Sequence, residues 1–193
     1  MRAAASKTSD KREAILDAAL GLFVERGFFG TAVPEIAERA GVGAGTIYRY
    51  FASKEALVNE IYRTQKRRFA AAVFDHLPAA AASRELFRTM WMRMAAFSSE
   101  NMSALVFLEL HHHARYLDDE SRALELRMLA LSESVVTAAQ ARGDLKTGPP
   151  KLIMGIVMGA FIGVIRSCVD VDHLPSDADW KLAEQLIWEA VRA

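Results

Sequence analysis

The sequence predicts a fold built entirely from α-helices, with a small N-terminal body followed by a larger one. Three observations carry that expectation. Two short amphipathic segments flank Gly41-Val42-Gly43, and a third begins before Leu57. Leu152 to Ile165 is an uncharged, mostly apolar run with Gly155, Gly159 and Gly163 at spacing four. The last stretch, Asp177 to Val191, is apolar nearly all round when wound at helical periodicity.

Taken in order, residues 1–8 are small and basic, with too little apolar content to order themselves, and read as a flexible arm. Arg2, Lys7, Lys11 and Arg12 there suit either a nucleic-acid groove or plain solvation. Asp10 and Glu13 have capping-box spacing and open a helix with Ile15, Leu16, Ala19, Leu22 and Phe23 as its stripe. Gly27 ends it. Thr31 is placed to cap the next helix, with Pro34 tolerated in its first turn. That helix, Val33 to Ala40, carries Val33, Ile36, Ala37 and Ala40 on one face. The glycines at 41 and 43 allow a sharp turn into a second helix, Ala44 to Tyr50, and Ser53 caps the helix that begins at Lys54.

Two helices across a tight glycine turn form a helix-turn-helix, whose second helix is the usual major-groove reader. Ile47 and Phe51 can anchor that helix, which leaves Thr46, Tyr48, Arg49 and Tyr50 largely outward. Hydroxyls and a guanidinium suit phosphates and base edges, and small residues at Gly43, Ala44 and Gly45 let the helix start approach DNA. Lys54 adds an expected phosphate contact. The bland alternative is a structural helical hairpin with surface tyrosines.

The run from Ser9 to about Phe69 resembles the DNA-binding domain of TetR/AcrR-type transcriptional regulators. The resemblance rests on Leu22-Phe23-Val24-Glu25-Arg26-Gly27-Phe28, Gly30-Thr31, Glu35-Ile36-Ala37, Ala40-Gly41-Val42, Gly45-Thr46-Ile47-Tyr48, Tyr50-Phe51 and Ser53-Lys54-Glu55, all in register. It implies a DNA-binding domain over residues 9–69, with the motif at about 32–51. The candidate DNA-binding positions are Thr31, Ala32, Val33, Pro34, Ala44, Gly45, Thr46, Tyr48, Arg49, Tyr50 and Lys54. Of these, Val33, Pro34, Ala44 and Gly45 bring no polar side chain, so Thr46, Tyr48 and Arg49 stand as the direct contacts.

Net charge is zero, but it is unevenly spread. Residues 1–70 hold 12 basic and 8 acidic side chains, whereas residues 71–193 hold 12 and 16. The positive part coincides with the helix-turn-helix, as phosphate binding requires. Cys168 is the one cysteine, which excludes an intrachain disulfide and fits a reducing, cytoplasmic setting; it reads as a small core hydrophobe. No secretory signal is visible. The uncharged run Leu152–Ile165 falls short of the ~20 residues of a bilayer span and reads as a buried helix, with no membrane partner.

Residues 70–193 read as a helical ligand-binding and dimerisation domain. Pro78 separates the end of the long fourth helix from the next, Ser83 to Ser98; a sixth runs about Met102 to Tyr116. Asp118-Asp119-Glu120 start a seventh, which stops at Gly143. Aromatic and methionine side chains at helical spacing here are either core or, as the resemblance implies, the wall of an inducer cavity for an apolar or aromatic ligand. Trp91, Met94, Phe107 and His111 are the candidate lining, and the fourth helix, with Phe69 and Phe74 near its end, is the candidate lever. Glu109 shares a helix face with His112 and His113, yet the triplet His111–His113 spreads through about 200° of the wheel and reads as polar pocket or interface contacts rather than a metal site. His76 and His173 stand alone. No catalytic set, phosphate loop or cofactor motif is found.

The glycine strip Gly155/Gly159/Gly163 permits close approach of another helix, and Trp180, Ile187 and Val191 share a face of the last one. The resemblance implies that these two helices pair with their copies in a homodimer; the alternative is that they close the monomer core. A dimer would set two reading helices on an inverted-repeat operator. The function expected is therefore a ligand-released, non-enzymatic DNA-binding regulator, most plainly a repressor. A helical adaptor or small-molecule enzyme without DNA binding is the other class.

Overall fold

The computed structural model describes residues 2–78, 81–110, 115–169 and 174–193, with side chains from Asp10 onward except those of Leu110, Cys168 and Val169. The expectations placed on His111, His112, His113 and His173, and on the side chains of Cys168, Arg2 and Lys7, lie outside what is described. Those described form nine helices and no strand: α1 (Arg2–Arg26), α2 (Val33–Arg39), α3 (Ala44–Tyr50), α4 (Lys54–Phe74), α5 (Ser83–Glu100), α6 (Met102–Leu110), α7 (Asp119–Ala141), α8 (Pro150–Val169) and α9 (Asp177–Val191). They divide into two compact units, Met1–Arg67 with Asn101–Ala123, and Arg68–Glu100 with Leu124–Ala193.

The first unit is larger than a cut near residue 70 implies, because aromatic packing draws later residues into it. Phe107 of α6 stacks on Phe23 of α1, with centroids 6.4 Å apart, and Tyr116 stacks on Phe28 at 4.3 Å. Helix α1 begins at Arg2, so residues 2–8 are helical rather than a loose arm, and Asp10 and Glu13 lie inside the helix instead of capping it. Ala3-Ala4-Ala5 supply the helix propensity that carries it back. Ile15, Ala18, Ala19, Leu22 and Phe23 form its buried stripe. At Gly27, φ is +70°, the left-handed value that ends helices and that glycine adopts without strain.

The second unit is built on rings. Trp91 of α5 meets Phe161 of α8 edge-on at 5.4 Å, and Phe161 stacks on Trp180 of α9 at 4.8 Å. The Trp91 Nε1–H donates to the Trp180 carbonyl at 3.0 Å. Beside it, Ala139, Leu145, Ile153 and Val191 make a second cluster with Phe87 and Trp188 against it. Arg84 forms a bidentate pair with the buried Glu184, its guanidinium lying over the Trp188 ring at 5.2 Å. The chain end is tied down: Lys146 N–H donates to the Val191 carbonyl and Ala193 N–H to that of Asp144. Ser176 and Asp179 form the capping box that starts α9.

Helix α8 departs from its expected burial. It is 20 residues long, and its first 18 are long and apolar enough to cross a membrane by length and composition. Within the single chain only Ile153, Phe161 and Ile165 of its described side chains are buried, while Leu152, Ile156 and all three glycines are exposed.

Candidate nucleic-acid interface

The α2–turn–α3 unit is fixed from behind. Val33, Ile36 and Ala37 of α2, then Ile47 and Phe51, are buried. The turn is a Schellman closure: Gly41 N–H donates to the Glu38 carbonyl and Val42 N–H to that of Ala37, with Gly41 at φ +66°. Helix α4 is capped by Ser53 as its sequence predicts, the hydroxyl accepting from Ala56 N–H at 3.1 Å.

The start of α2 differs from expectation. Its N-cap is Ala32, whose N–H donates to the Glu35 carboxylate at 2.8 Å. Thr31 is buried, and its hydroxyl donates to the Gly27 and Leu22 carbonyls at 2.9 and 3.2 Å. It therefore closes the end of α1, whose last carbonyls lack helical partners, rather than capping α2. Lys54 is likewise turned inward. Its ammonium donates to the Phe28 and Thr31 carbonyls, both at 2.8 Å, and lies 4.3 Å from the centre of the Phe28 ring.

Most other cations of this unit are also engaged. Arg39 makes a bidentate pair with Glu25, Arg26 pairs with Glu35, and Arg12 pairs with Glu60 while lying over Phe51. The Arg39 hydrogen bond holds the Glu25 carboxyl below its usual range, and the Ala32 amide does the same for Glu35. Arg49, like Lys11 and Arg115, is exposed and, among the described residues, has no hydrogen-bond or ion-pair partner; of the three, Arg49 alone lies on α3. Tyr48 beside it is 55% exposed, large for an aromatic that nothing covers.

The candidate positions thus separate into two sets. Ala32, Pro34, Ala44, Gly45, Tyr48 and Arg49 are exposed, with Thr46 and Tyr50 half-buried beside them. Around Gly45 an added Cβ would meet nothing within 4 Å, so the start of α3 is open. Thr31, Val33 and Lys54 face inward and position the motif. The face can present the Thr46 and Tyr48 hydroxyls, the Arg49 guanidinium and free N–H groups to an anionic groove.

One polar cluster of the same unit has no precedent in the sequence reading. The Asn59 amide donates to the Tyr116 carbonyl at 2.7 Å and its oxygen accepts from Asp118 N–H at 2.9 Å. Arg63 donates to Asp118 at 2.8 Å and pairs with Glu60. Burial alone would raise the Glu60 and Asp118 carboxyls, but hydrogen bonds from arginines and from Ser121 outweigh it and hold both low. Burial pushes the Tyr116 hydroxyl up to about 12. The bonds from Asn59 and Arg63 to Tyr116 and Asp118 join residues 55–59 apart, beyond the reach of any local pattern.

The remaining expectations fall in both units. Trp91 and Met94 are buried in the second and Phe107 in the first, each among rings or core aliphatics. Phe69, the expected lever contact, meets Phe97 edge-on at 5.3 Å. On α9, Trp180 and Val191 are turned into their own chain, at 2% and 4% exposure, and Ile187 is half-buried. The open face of that helix carries Leu182 and Leu186 instead, at 56% and 61%. Among the described residues no cluster of three or more His, Cys, Asp or Glu is placed to hold a metal ion.

Comparison with known proteins divides the chain near residue 61. Residues 15–61 match the family described as bacterial regulatory proteins, tetR family, and residues 62–193 match the tetracyclin repressor-like C-terminal domain. Over 121 residues the chain is 32% identical to the HTH-type transcriptional repressor KstR2 of Mycobacterium tuberculosis, a match covering 61% of this chain and 55% of that protein. The chain thus spans about half the length of this curated relative. The fatty acid metabolism regulator protein of Bacillus subtilis is 24% identical over 136 residues, 69% of this chain and 70% of its own. Among solved structures, a TetR family transcription regulator from Marinobacter aquaeolei superposes with a TM-score of 0.85 at 23% identity, over 100% and 99% of the two chains. AibR, solved with isovaleryl coenzyme A and operator DNA, gives a TM-score of 0.72 at 20% identity over 93% and 95%. These likenesses establish the two-part helical fold.

Proposed function

We propose, for a chain that belongs to the tetR family of bacterial regulatory proteins, that α3 reads an inverted-repeat operator as part of a homodimer and represses transcription until a small molecule releases it. The relatives named as transcriptional repressors support a DNA-binding regulator. What carries the reading for these residues is the outward edge of α3, where Arg49 and Tyr48 stand without partners on a helix whose back is anchored by Ile47 and Phe51. Thr46, Tyr48 and Arg49 make the direct contacts, Ala44 and Gly45 admit the backbone closely, and Lys54 and Thr31 hold the motif in shape.

The dimer is carried by the apolar surface that α8 and α9 leave open: Leu152, Ile156 and the glycine strip on one, Leu182 and Leu186 on the other. Such a surface is large for a lone chain and suits a second copy. Replacing Gly159 with Leu should raise the monomer fraction in sedimentation. A wild-type chain that stays monomeric at micromolar concentration overturns this interface.

The ligand is an apolar or aromatic molecule in the helical body, with Trp91 and Met94 among its surroundings. To act, it must bind better to a state whose two reading helices no longer match their half-sites. An acyl-coenzyme A is the first probe to try.

The deciding experiment is recovery of genomic fragments bound by the purified protein, followed by anisotropy on the enriched sequence across a salt series. Tyr48→Ala and Arg49→Ala should each weaken binding at least about tenfold with melting unchanged, and Arg49→Ala should also flatten the salt slope by about 1. Wild-type affinity in both variants would remove α3 as the reader.

A further inference from the structure

Trp180 carries the only buried side-chain polar atom among the described residues that lacks a hydrogen-bond partner, its indole Nε1–H. A buried donor left unpaired is destabilising, and native proteins nearly always pair such groups. The rings packed on Trp180 bring no acceptor. Phe161 stacks on its face at 4.8 Å, and Trp91 lies edge-on with its own Nε1–H already donated to the Trp180 carbonyl. From this we infer that Trp180 is the polar anchor of a small-molecule site in the second unit, taking a ligand with an apolar body and one uncharged acceptor oxygen, such as the carbonyl of an ester, ketone or thioester.

Three other partners for the donor fit less well. A single water needs two to four polar neighbours, and neither Phe161 nor Trp91, whose own N–H is already donated, supplies one. A second copy of the chain would cover the Leu182 and Leu186 side of α9, about 200° and 240° round the helix from Trp180. A carboxylate ligand would need a cation, yet the Arg84 guanidinium one turn along is held by both oxygens of Glu184, whose own charge would repel it. A neutral carbonyl on an aliphatic body meets all of these conditions. The inference rests on the ligand-responsive reading only for what the site controls, since binding itself is measured without DNA.

The test uses the full chain and two probes of similar length, methyl octanoate and decane. The chain has three tryptophans, and Trp180→Phe removes one indole resonance from a nitrogen–proton spectrum, which assigns it while keeping the ring packing. Methyl octanoate should move the Trp180 N–H resonance downfield. Trp180→Phe should lose about tenfold or more of its affinity for the ester, measured by calorimetry, while affinity for decane stays the same. The inference is overturned if the wild-type resonance does not move with the ester, if it shows a bound water instead, or if Trp180→Phe keeps its preference for the ester over decane. DNA affinity, followed separately, tells failure of the operator reading apart from failure of this site.

Discussion

The two units hold themselves together by different physics. The first is laced by polar contacts between residues far apart in sequence: Asn59 to Tyr116 and Asp118, Arg63 to Asp118, Lys54 to Phe28 and Thr31. The second has fewer such links, chiefly Arg84 to Glu184 and Ser83 to Asp144, and centres on ring against ring, Trp91, Phe161, Trp180, Phe87 and Trp188, while leaving an apolar surface open on α8 and α9. Directional bonds fix angles, which a helix that must meet a groove requires. Ring packing fills volume with fewer directional demands, which suits the ligand-admitting body proposed above.

Substitutions should separate the two regimes. The largest loss is expected for Trp91→Ala, which removes the centre of the ring cluster and its bond to Trp180: about 4 kcal/mol in urea unfolding, with the second unit melting first. A loss below about 1 kcal/mol would mean the rings are not what holds that unit. Asn59→Ala leaves two backbone groups unpaired and should remove about 2 kcal/mol from the first unit, with α3 itself unchanged. Acid probes the same cluster. Glu60 and Asp118 have folded pKa values below the unfolded ones, so their contribution is fully present above about pH 4.5 and is lost as pH falls through the depressed values. Melting of the first unit should be flat from pH 8 to about 5 and decline below about pH 4.5; an equal decline in an Arg63→Met variant would locate the acid sensitivity elsewhere.

Smaller effects sharpen the picture at the turn. Gly41→Ala meets no neighbour within 4 Å but must hold φ +66°, so about 1 kcal/mol of backbone strain is expected, read from thermal melting.

 

Gly45→Ala is the contrasting case. The same open space surrounds it, its backbone is ordinary helix, and the substitution should leave stability level or raise it by about 0.5 kcal/mol. Any loss of DNA affinity in that variant would then come from the added methyl at the groove. Equal melting shifts in the two glycine variants would refute the distinction drawn between them.

What the sequence made legible was what lies within a few residues. The periodicity of α2 and α3, the Gly41 turn, the Ser53 cap, the stop at Gly143 and the span of α9 all depend on neighbours three or four apart. From sequence alone Lys54 suits a phosphate contact and Thr31 a helix cap, and both stand among the candidate DNA-binding positions. Two carbonyls apiece, at the end of α1 and the turn before α2, claim them instead. Trp180 and Val191 share a face with Ile187, but periodicity alone does not say which side of a doubly apolar helix faces its own chain. The polar cluster at Asn59 and Arg63 left no trace in either half of the sequence that forms it, since neither half is unusual alone.

The inward lysine separates two quantities that a count of basic residues merges. Lys54 keeps its positive charge while all of its donor capacity is directed at carbonyls and a ring. A charge held this way still adds to the field that draws a polyanion in, so it belongs to the rate of encounter. Under the proposed operator reading it forms no bond to DNA that must break on departure, and the lifetime of the complex falls to α3. Raising salt should therefore slow arrival through charges such as Lys54, while residence time answers to Tyr48 and Arg49.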